Sequence, residues 1–222
     1  MGPTLLYELA FWEAGHRLIV GLDEVGRGCL AGPVVAGAVV LPVGERVLCG
    51  VLRAAGLRDS KQLSATRRES LVPLIEELAL GVAIGVGTVA EINAEGIVPA
   101  CRRAMQRAIQ ALPCPVEALL LDAFPLPSEE RPQRAIVRGD DASLSIAAAS
   151  VVAKVYRDRL MVAYDQDFPG YDFASNKGYA APAHRAALQT LGATSIHRMN
   201  WAPLRALTAY QLLLEDPADG PT

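Results

Sequence analysis

The sequence predicts an α/β domain, a central β-sheet flanked by helices, with a helical segment at its C-terminal end. Three observations predict it. Short runs rich in Val, Leu and Ile, bounded by Gly or Pro, alternate with longer stretches of helical periodicity. The segment 144–165 starts small and apolar all round and turns charged in its second half, as a helix does when one end is buried against a sheet. The chain has 222 residues, 51% hydrophobic and 20% charged, which is long and apolar enough for one full core.

Residues 17–25 (RLIVGLDEV) read as a β-branched strand running into Gly-rich sequence. Residues 33–41 (PVVAGAVVL) read as a second strand, with Pro33 at its first position, where a missing donor is tolerated. Ser64 is the expected N-cap of a helix over 65–80 whose Leu71, Leu74, Ile75 and Leu78 share a face. Residues 81–89 make a third strand, followed by helical sequence over 98–112. Residues 116–122 (VEALLLD) make a strand finishing on Asp122, and 135–137 a short one followed by Asp140 and Asp141. After the long helix over 144–165 come shorter helices over 183–191 and 204–214, behind Pro182 and Pro203. The acidic end 215–222 is expected to fray.

This composition excludes disorder over most of the chain, collagen-like repeats and coiled coil. The longest uncharged run, Gly28 to Gly44, is broken by Pro33 and Pro42 and is too short to span a bilayer. No basic stretch followed by an apolar segment opens the chain, so the expectation is a soluble cytoplasmic protein. Cys29, Cys49, Cys101 and Cys114 lie far apart, and only His16, His184 and His197 could join them. They read as reduced, mostly buried thiols rather than a zinc site. Metal chemistry must then rest on carboxylates.

The acids fall in informative places. Asp23 and Glu24 end the first strand, Asp122 ends another, and Asp140 follows a third. Acids closing apolar strands are expected to converge on one sheet edge, where loops surround a crevice backed by a rigid scaffold. Carboxylates so gathered repel and need protons or a cation to coexist. An all-oxygen ligand set favours a hard ion, Mg²⁺ or Mn²⁺, and a pair of such ions about 3.5–4 Å apart is a recurring device for phosphodiester cleavage. Successive strand residues face opposite ways, so Asp23 and Glu24 are expected to share the crevice only if the strand ends or bends there. Gly26 and Gly28 offer the means. The plainer alternative takes each acid as a turn residue, a reading that four together weaken.

Residues 21–32 read GLDEVGRGCLAG. Glycines on both sides of Arg27 let the backbone offer N–H and C=O groups to a ligand at close range, and the arginine adds a charge suited to phosphate. The alternative is a connecting turn with an exposed arginine.

With these residues assembled, the chain resembles the ribonuclease HII family, the type 2 ribonucleases H. The resemblance is carried by GLDEVGRGCLAGPVV at 21–35, DSKQLS at 59–64, LLDA at 120–123, GDDASLSIAAASVVAKVYRDRLM at 139–161, NKGYA at 176–180 and HR at 197–198. These blocks come in the family's order across most of the chain. The resemblance implies a ribonuclease H-like fold over 1–182, a helical segment over 183–214 packed on it, and a tail over 215–222. It implies hydrolysis of the RNA strand of RNA–DNA hybrids, and incision 5′ of single ribonucleotides embedded in duplex DNA. The ends left are 3′-hydroxyl and 5′-phosphate. Those two nucleic acids would be its partners, with no membrane, and the chain is taken as a monomer.

By the same resemblance Asp23, Glu24, Asp122 and Asp140 are the catalytic carboxylates and bind two Mg²⁺ or Mn²⁺ ions. Gly26, Arg27 and Gly28 sense the 2′-hydroxyl through the backbone, the group that separates RNA from DNA. Tyr179 stacks on the neighbouring deoxyribose. Ala123 stands where the family often has glycine, Asn176 where histidine is frequent, Asn200 where serine is frequent, and Arg138 where lysine is common. None of these departures removes a proposed ligand.

Smaller signals remain. Lys61 and Lys177 sit in Gly- or Ser-flanked loops and read as phosphate contacts, against ordinary solvated lysines. Lys154 and Arg157, three apart on one helix face, are further candidates. Asp158 is expected to pair with a neighbouring arginine, and His197 to serve as a structural hydrogen-bonding group. The acidic pI of 5.7 argues against a general nucleic-acid binder, yet 134–214 carries nine Lys and Arg against six Asp and Glu. If those charges line a groove, binding weakens with salt.

Three rival readings are weaker. Residues 85–90 (GVGTVA) fit a dinucleotide-binding pattern, but they lie inside an apolar run with no acid at the end of a following strand. A non-catalytic binding module would show a lost carboxylate. A resolvase- or transposase-type nuclease would need other substrate-reading elements than the 26–28 turn and Tyr179.

Overall fold

The computed structural model describes residues 2–42, 46–127, 129–202 and 204–205. Five strands form one mixed sheet: β1 (Ile19–Val25), β2 (Val34–Val40), β3 (Gly81–Gly87), β4 (Ala118–Asp122) and β5 (Gln133–Ile136), in the order β3-β2-β1-β4-β5. β1 runs antiparallel to β2, from Val20↔Val40 to Val25↔Val35, and parallel to β4, from Ile19↔Ala118 to Leu22↔Leu121. The α/β class and the sheet with flanking helices are as expected.

The helices are α1 (Leu6–Glu13), α2 (Arg46–Ala54), α3 (Ala65–Leu78), α4 (Val89–Glu95), α5 (Ile97–Gln110), α6 (Gly139–Ala142), α7 (Leu144–Asp167), α8 (Phe173–Asn176) and α9 (Pro182–Leu191). α5 covers one face of the sheet, closing a core of Val20, Leu22, Val34, Ala36, Ala104, Met105 and Leu119. α7 covers the other face, with α3 outside it, around Val39, Leu71, Ile75, Ala148 and Val151. The first half of α7 is buried on all sides, as its composition requires. It can lie that close because Gly21 and Gly37 face it: a Cβ at Gly21 would sit 2.2 Å from the Ser145 carbonyl carbon, and one at Gly37 2.3 Å from the Ala149 carbonyl oxygen.

Some boundaries differ from expectation, for local reasons. β3 stops at Gly87 rather than 89 because Thr88 begins α4 with a capping box: its hydroxyl accepts from the Glu91 N–H, and the Glu91 carboxylate accepts from the Thr88 N–H. Gly85 lies in β3, and a Cβ there would be 2.0 Å from the Ala104 carbonyl oxygen. The GVGTVA segment is therefore a strand packed on α5, not a phosphate loop. In α3 Ser64 caps as expected, but the buried residues are Leu71, Val72 and Ile75, while Leu74 and Leu78 are half-buried. α1, α2, α4, α6 and α8 fall where no helix is expected. α9 packs through Ala187 and Leu188 on Leu30, Met161, Tyr171 and Phe173. Residues 206–222, which hold most of the expected 204–214 helix and the 215–222 tail, lie outside the described residues. No described helix is long and apolar enough to cross a membrane.

Candidate active site

The C-terminal ends of β1 and β4 bring the acids together. One step beyond the last parallel pair, Leu22↔Leu121, the two chains arrive at Asp23 and Asp122. Both residues follow the parity of Gly21 and Leu120 and so face α7. Asp122 Oδ1 accepts from the Gly139 N–H at 2.7 Å, which ties β4 to α6 and sets Asp140 alongside. Asp140 does not close a strand. It sits in the first turn of α6, three residues after the exposed Val137 and behind Arg138 in the left-handed region.

β1 neither ends nor bends between Asp23 and Glu24: pairing continues through Glu24↔Ala36 to Val25↔Val35. The strand ends at Val25 and the chain turns at Gly26 with φ +88°, so the break that Gly26 and Gly28 offered falls after Glu24 rather than between the two acids. Glu24 leaves the α5 face, with one oxygen 3.6 Å from the Arg27 guanidinium. It nonetheless feels the charge of Asp122, which lies one step past the last paired residues of β1 and β4.

The electrostatics match this crowding. Burial, then Glu24, then Asp122 and Asp140 push Asp23 well above the usual carboxylate range, against the nearby Ser150 hydroxyl. Burial and Asp122 raise Glu24 to about 7, opposed by Arg27 and Lys61. Burial also raises Asp140, against its bond from Lys61 Nζ at 3.1 Å. Glu24 Oε2 is buried without a hydrogen-bond partner. Among the described residues no three His, Cys, Asp or Glu groups form a ready-made cation cage, since the acids lean on Arg27, Lys61 and the Gly139 N–H. The donor set is all oxygen, mutually repelling and partly unsatisfied, which fits a hard divalent cation.

Beside the acids lie two loops. In the 26–28 turn the carbonyls are held from below: Arg198 donates to Gly26 O at 2.6 Å, Arg27 O at 2.9 Å and Gly32 O at 2.9 Å. Arg27 and Gly28 are exposed. Tyr179 is 40% exposed, with Lys154 Nζ 5.7 Å and the Arg157 guanidinium 5.8 Å from its ring centroid. The Gly178 carbonyl accepts from Leu30 N and Ala31 N at 2.8 and 3.3 Å, so the two loops adjoin.

The lysines differ. Lys61, with a side chain 74% exposed, reaches Asp140 and Asp59. The Lys177 ammonium folds back onto the Ala174 carbonyl of its own loop. Arg157, expected beside Lys154 as a surface contact, is fully buried instead. Asp158 pairs with Arg68 and Lys154, and His197 makes structural hydrogen bonds, both as expected. Sequence reasoning missed Ser150, whose hydroxyl joins that of Ser60 at 2.9 Å beside Asp23, and His184. Only the helical spacing that carries α7 past Gly21 and Gly37 could have pointed to Ser150.

The family model for ribonuclease HII matches residues 20–204. A ribonuclease HII from Chloroflexus aurantiacus is 49% identical over 204 residues, covering 92% of this chain and 95% of that protein. The crystal structure of ribonuclease H2 from Pyrococcus horikoshii OT3 shares the fold with a TM-score of 0.72 at 24% identity, over 88% of this chain and 99% of that one. Bst-RNase HIII, crystallised in complex with Mn²⁺, shares it with a TM-score of 0.64 at 21% identity, over 91% and 73%. The ribonuclease H-like fold is thus shown by structure, and sequence narrows it. The chain belongs to the ribonuclease HII family, endoribonucleases that cleave RNA in RNA–DNA hybrids and at ribonucleotides embedded in DNA.

Proposed function

We propose that Asp23, Glu24, Asp122 and Asp140 are the catalytic carboxylates and hold two ions, Mg²⁺ or Mn²⁺, and that the enzyme incises 5′ of a ribonucleotide to leave 3′-hydroxyl and 5′-phosphate ends. One observation carries this reading. Burial and mutual repulsion lift Asp23, Glu24 and Asp140 together, a cost that a divalent cation relieves. The Mn²⁺ found with Bst-RNase HIII is in keeping with it. Bound there, such ions supply activation of water and stabilisation of charge on the phosphate.

The chain's own residues position and neutralise. Arg198 occupies the carbonyls of Gly26 and Arg27, so the turn offers its outward N–H groups, and the Arg27 guanidinium, to the 2′-hydroxyl and adjacent phosphate. Tyr179 offers an exposed ring face to the neighbouring deoxyribose. Lys61 stands at the rim as a cation for a phosphate. Lys177 contributes its loop geometry and, once freed from Ala174, a second cation. The buried free thiols Cys29 and Cys101 suit a reducing, cytoplasmic setting.

The test is a cleavage assay on end-labelled duplex DNA containing one ribonucleotide, beside an all-DNA control, in Mg²⁺, Mn²⁺ and chelator. The expected result is a metal-dependent cut 5′ of the ribonucleotide only. A cut that survives chelator, or that appears in the all-DNA control, overturns the reading.

A further inference from the structure

We infer that Arg157 is a positioning residue for junction recognition, setting the spacing between the 26–28 turn and Tyr179; this rests on the roles proposed above for that turn and that ring. Arg157 rises from the middle of α7 and is fully buried. Its described bonds all run to main-chain carbonyls. Nε donates to Pro33 O at 3.0 Å, Nη2 to Ala31 O at 3.1 Å and Nη1 to Lys177 O at 2.8 Å. The first two acceptors belong to the loop that follows the turn, and the third to the loop that carries Tyr179.

The same guanidinium touches both readers of the substrate. A Cβ at Gly26 would lie 2.1 Å from Arg157 Nε, so the turn's backbone rests directly on it. The Tyr179 ring centroid is 5.8 Å from its central carbon. A buried cation that finds carbonyls rather than a carboxylate is an expensive way to gain stability. It is an effective way to fix geometry, because arginine presents its N–H groups in a rigid planar fork. Reading an RNA-to-DNA junction requires a 2′-hydroxyl sensor and a sugar-stacking ring held one nucleotide apart, and small displacements of such groups are costly. Arg157 is the group through which that distance is set.

The experiment compares kcat/KM on duplex DNA with one ribonucleotide and on a continuous RNA–DNA hybrid, for wild type, Tyr179→Ala, Arg157→Gln and Arg157→Lys. Wild type is expected to favour the junction and Tyr179→Ala to lose that preference. Arg157→Gln is expected to lose about tenfold more on the single ribonucleotide than on the hybrid, the mark of misplacement rather than lost chemistry. Arg157→Lys keeps the charge without the fork and is expected to show the same skewed ratio; it carries the test if Arg157→Gln does not fold by circular dichroism. Parallel losses on both substrates, or an unchanged ratio, overturn the inference while leaving the roles of the turn and Tyr179 standing. A wild type with no junction preference overturns those roles and the inference together.

Discussion

Asp23 and Glu24 are consecutive residues whose side chains leave opposite faces of β1, Asp23 toward Ser150 of α7 and Glu24 toward Arg27 and the α5 side. The acidic cluster is therefore wrapped around the end of the sheet rather than laid on one face of it. Glu24 and Asp122 still repel across the sheet, just past the last paired residues Leu22↔Leu121.

Asp23→Asn keeps the shape of the side chain and removes a charge that burial and three acids oppose. We expect turnover to fall by at least about 10²-fold, the order seen when one electrostatic catalytic group is removed. The thermal midpoint in chelator should be unchanged or higher. Single-turnover cleavage and circular-dichroism melting check both, and near-wild-type rates in Mg²⁺ would sink the assignment.

Tyr179→Ala removes an exposed ring while the backbone of its loop stays tied: the Tyr179 N–H donates to Asn176 O, and its carbonyl accepts from His184 Nδ1 at 2.8 Å. Stability should fall by about 1–2 kcal/mol, since the ring also packs against Lys154 and the buried Arg157. Cleavage at a single ribonucleotide should drop more than cleavage of a continuous hybrid. Denaturant melts and paired kinetics decide this, and an unaltered cutting pattern would remove Tyr179 from recognition.

His184 and His197 form a buried pair with Nε2 atoms 3.1 Å apart. His184 Nδ1 donates to the Tyr179 carbonyl, and His197 Nδ1 accepts from the Thr194 N–H, so His197 donates to His184 and both rings are neutral. Burial and then His184 hold His197 down to about 4. A histidine held below its unfolded value of about 6.5 binds fewer protons folded than unfolded, so its stability contribution is full above that pH and is lost as pH falls toward 4. The contribution is roughly 2–4 kcal/mol. An NMR titration of the imidazole should give a midpoint near 4; a midpoint at or above the ordinary value would refute the neutral pair.

Ala123, where the family often has glycine, sits at φ +62°, a left-handed conformation that a Cβ disfavours. Its N–H still completes the edge of the sheet by donating to Ile136 O at 2.9 Å. Ala123→Gly should therefore stabilise the fold by about 1 kcal/mol, raising the thermal midpoint by about 2–4 °C. Calorimetry checks it, and a lowered midpoint would show that the strain is not there.

The sequence by itself determined the strands, the long helix and the family, and it singled out the four acids as candidates, because each is written locally. Alternation and apolar runs mark β1 to β4, Ser64 marks a helix start, and the GRG and DSK segments are contiguous. The sequence also offered Arg157 as a phosphate contact beside Lys154, and let Asp23 and Glu24 share the crevice only if β1 ended or bent there, with Gly26 and Gly28 as the means. Tertiary structure buried Arg157, and it ended β1 at Val25, leaving the two acids on opposite faces of a continuous strand. Which side of α7 is buried depends on Gly21 and Gly37 letting it sink onto β1 and β2, and on loops from residues 26–33 and 177–179 closing over Arg157. That Glu24 and Asp122 lie close enough to repel depends on the pairing of two strands nearly a hundred residues apart. Periodicity along a chain fixes which residues share a face of an element; only long-range packing fixes what that face meets.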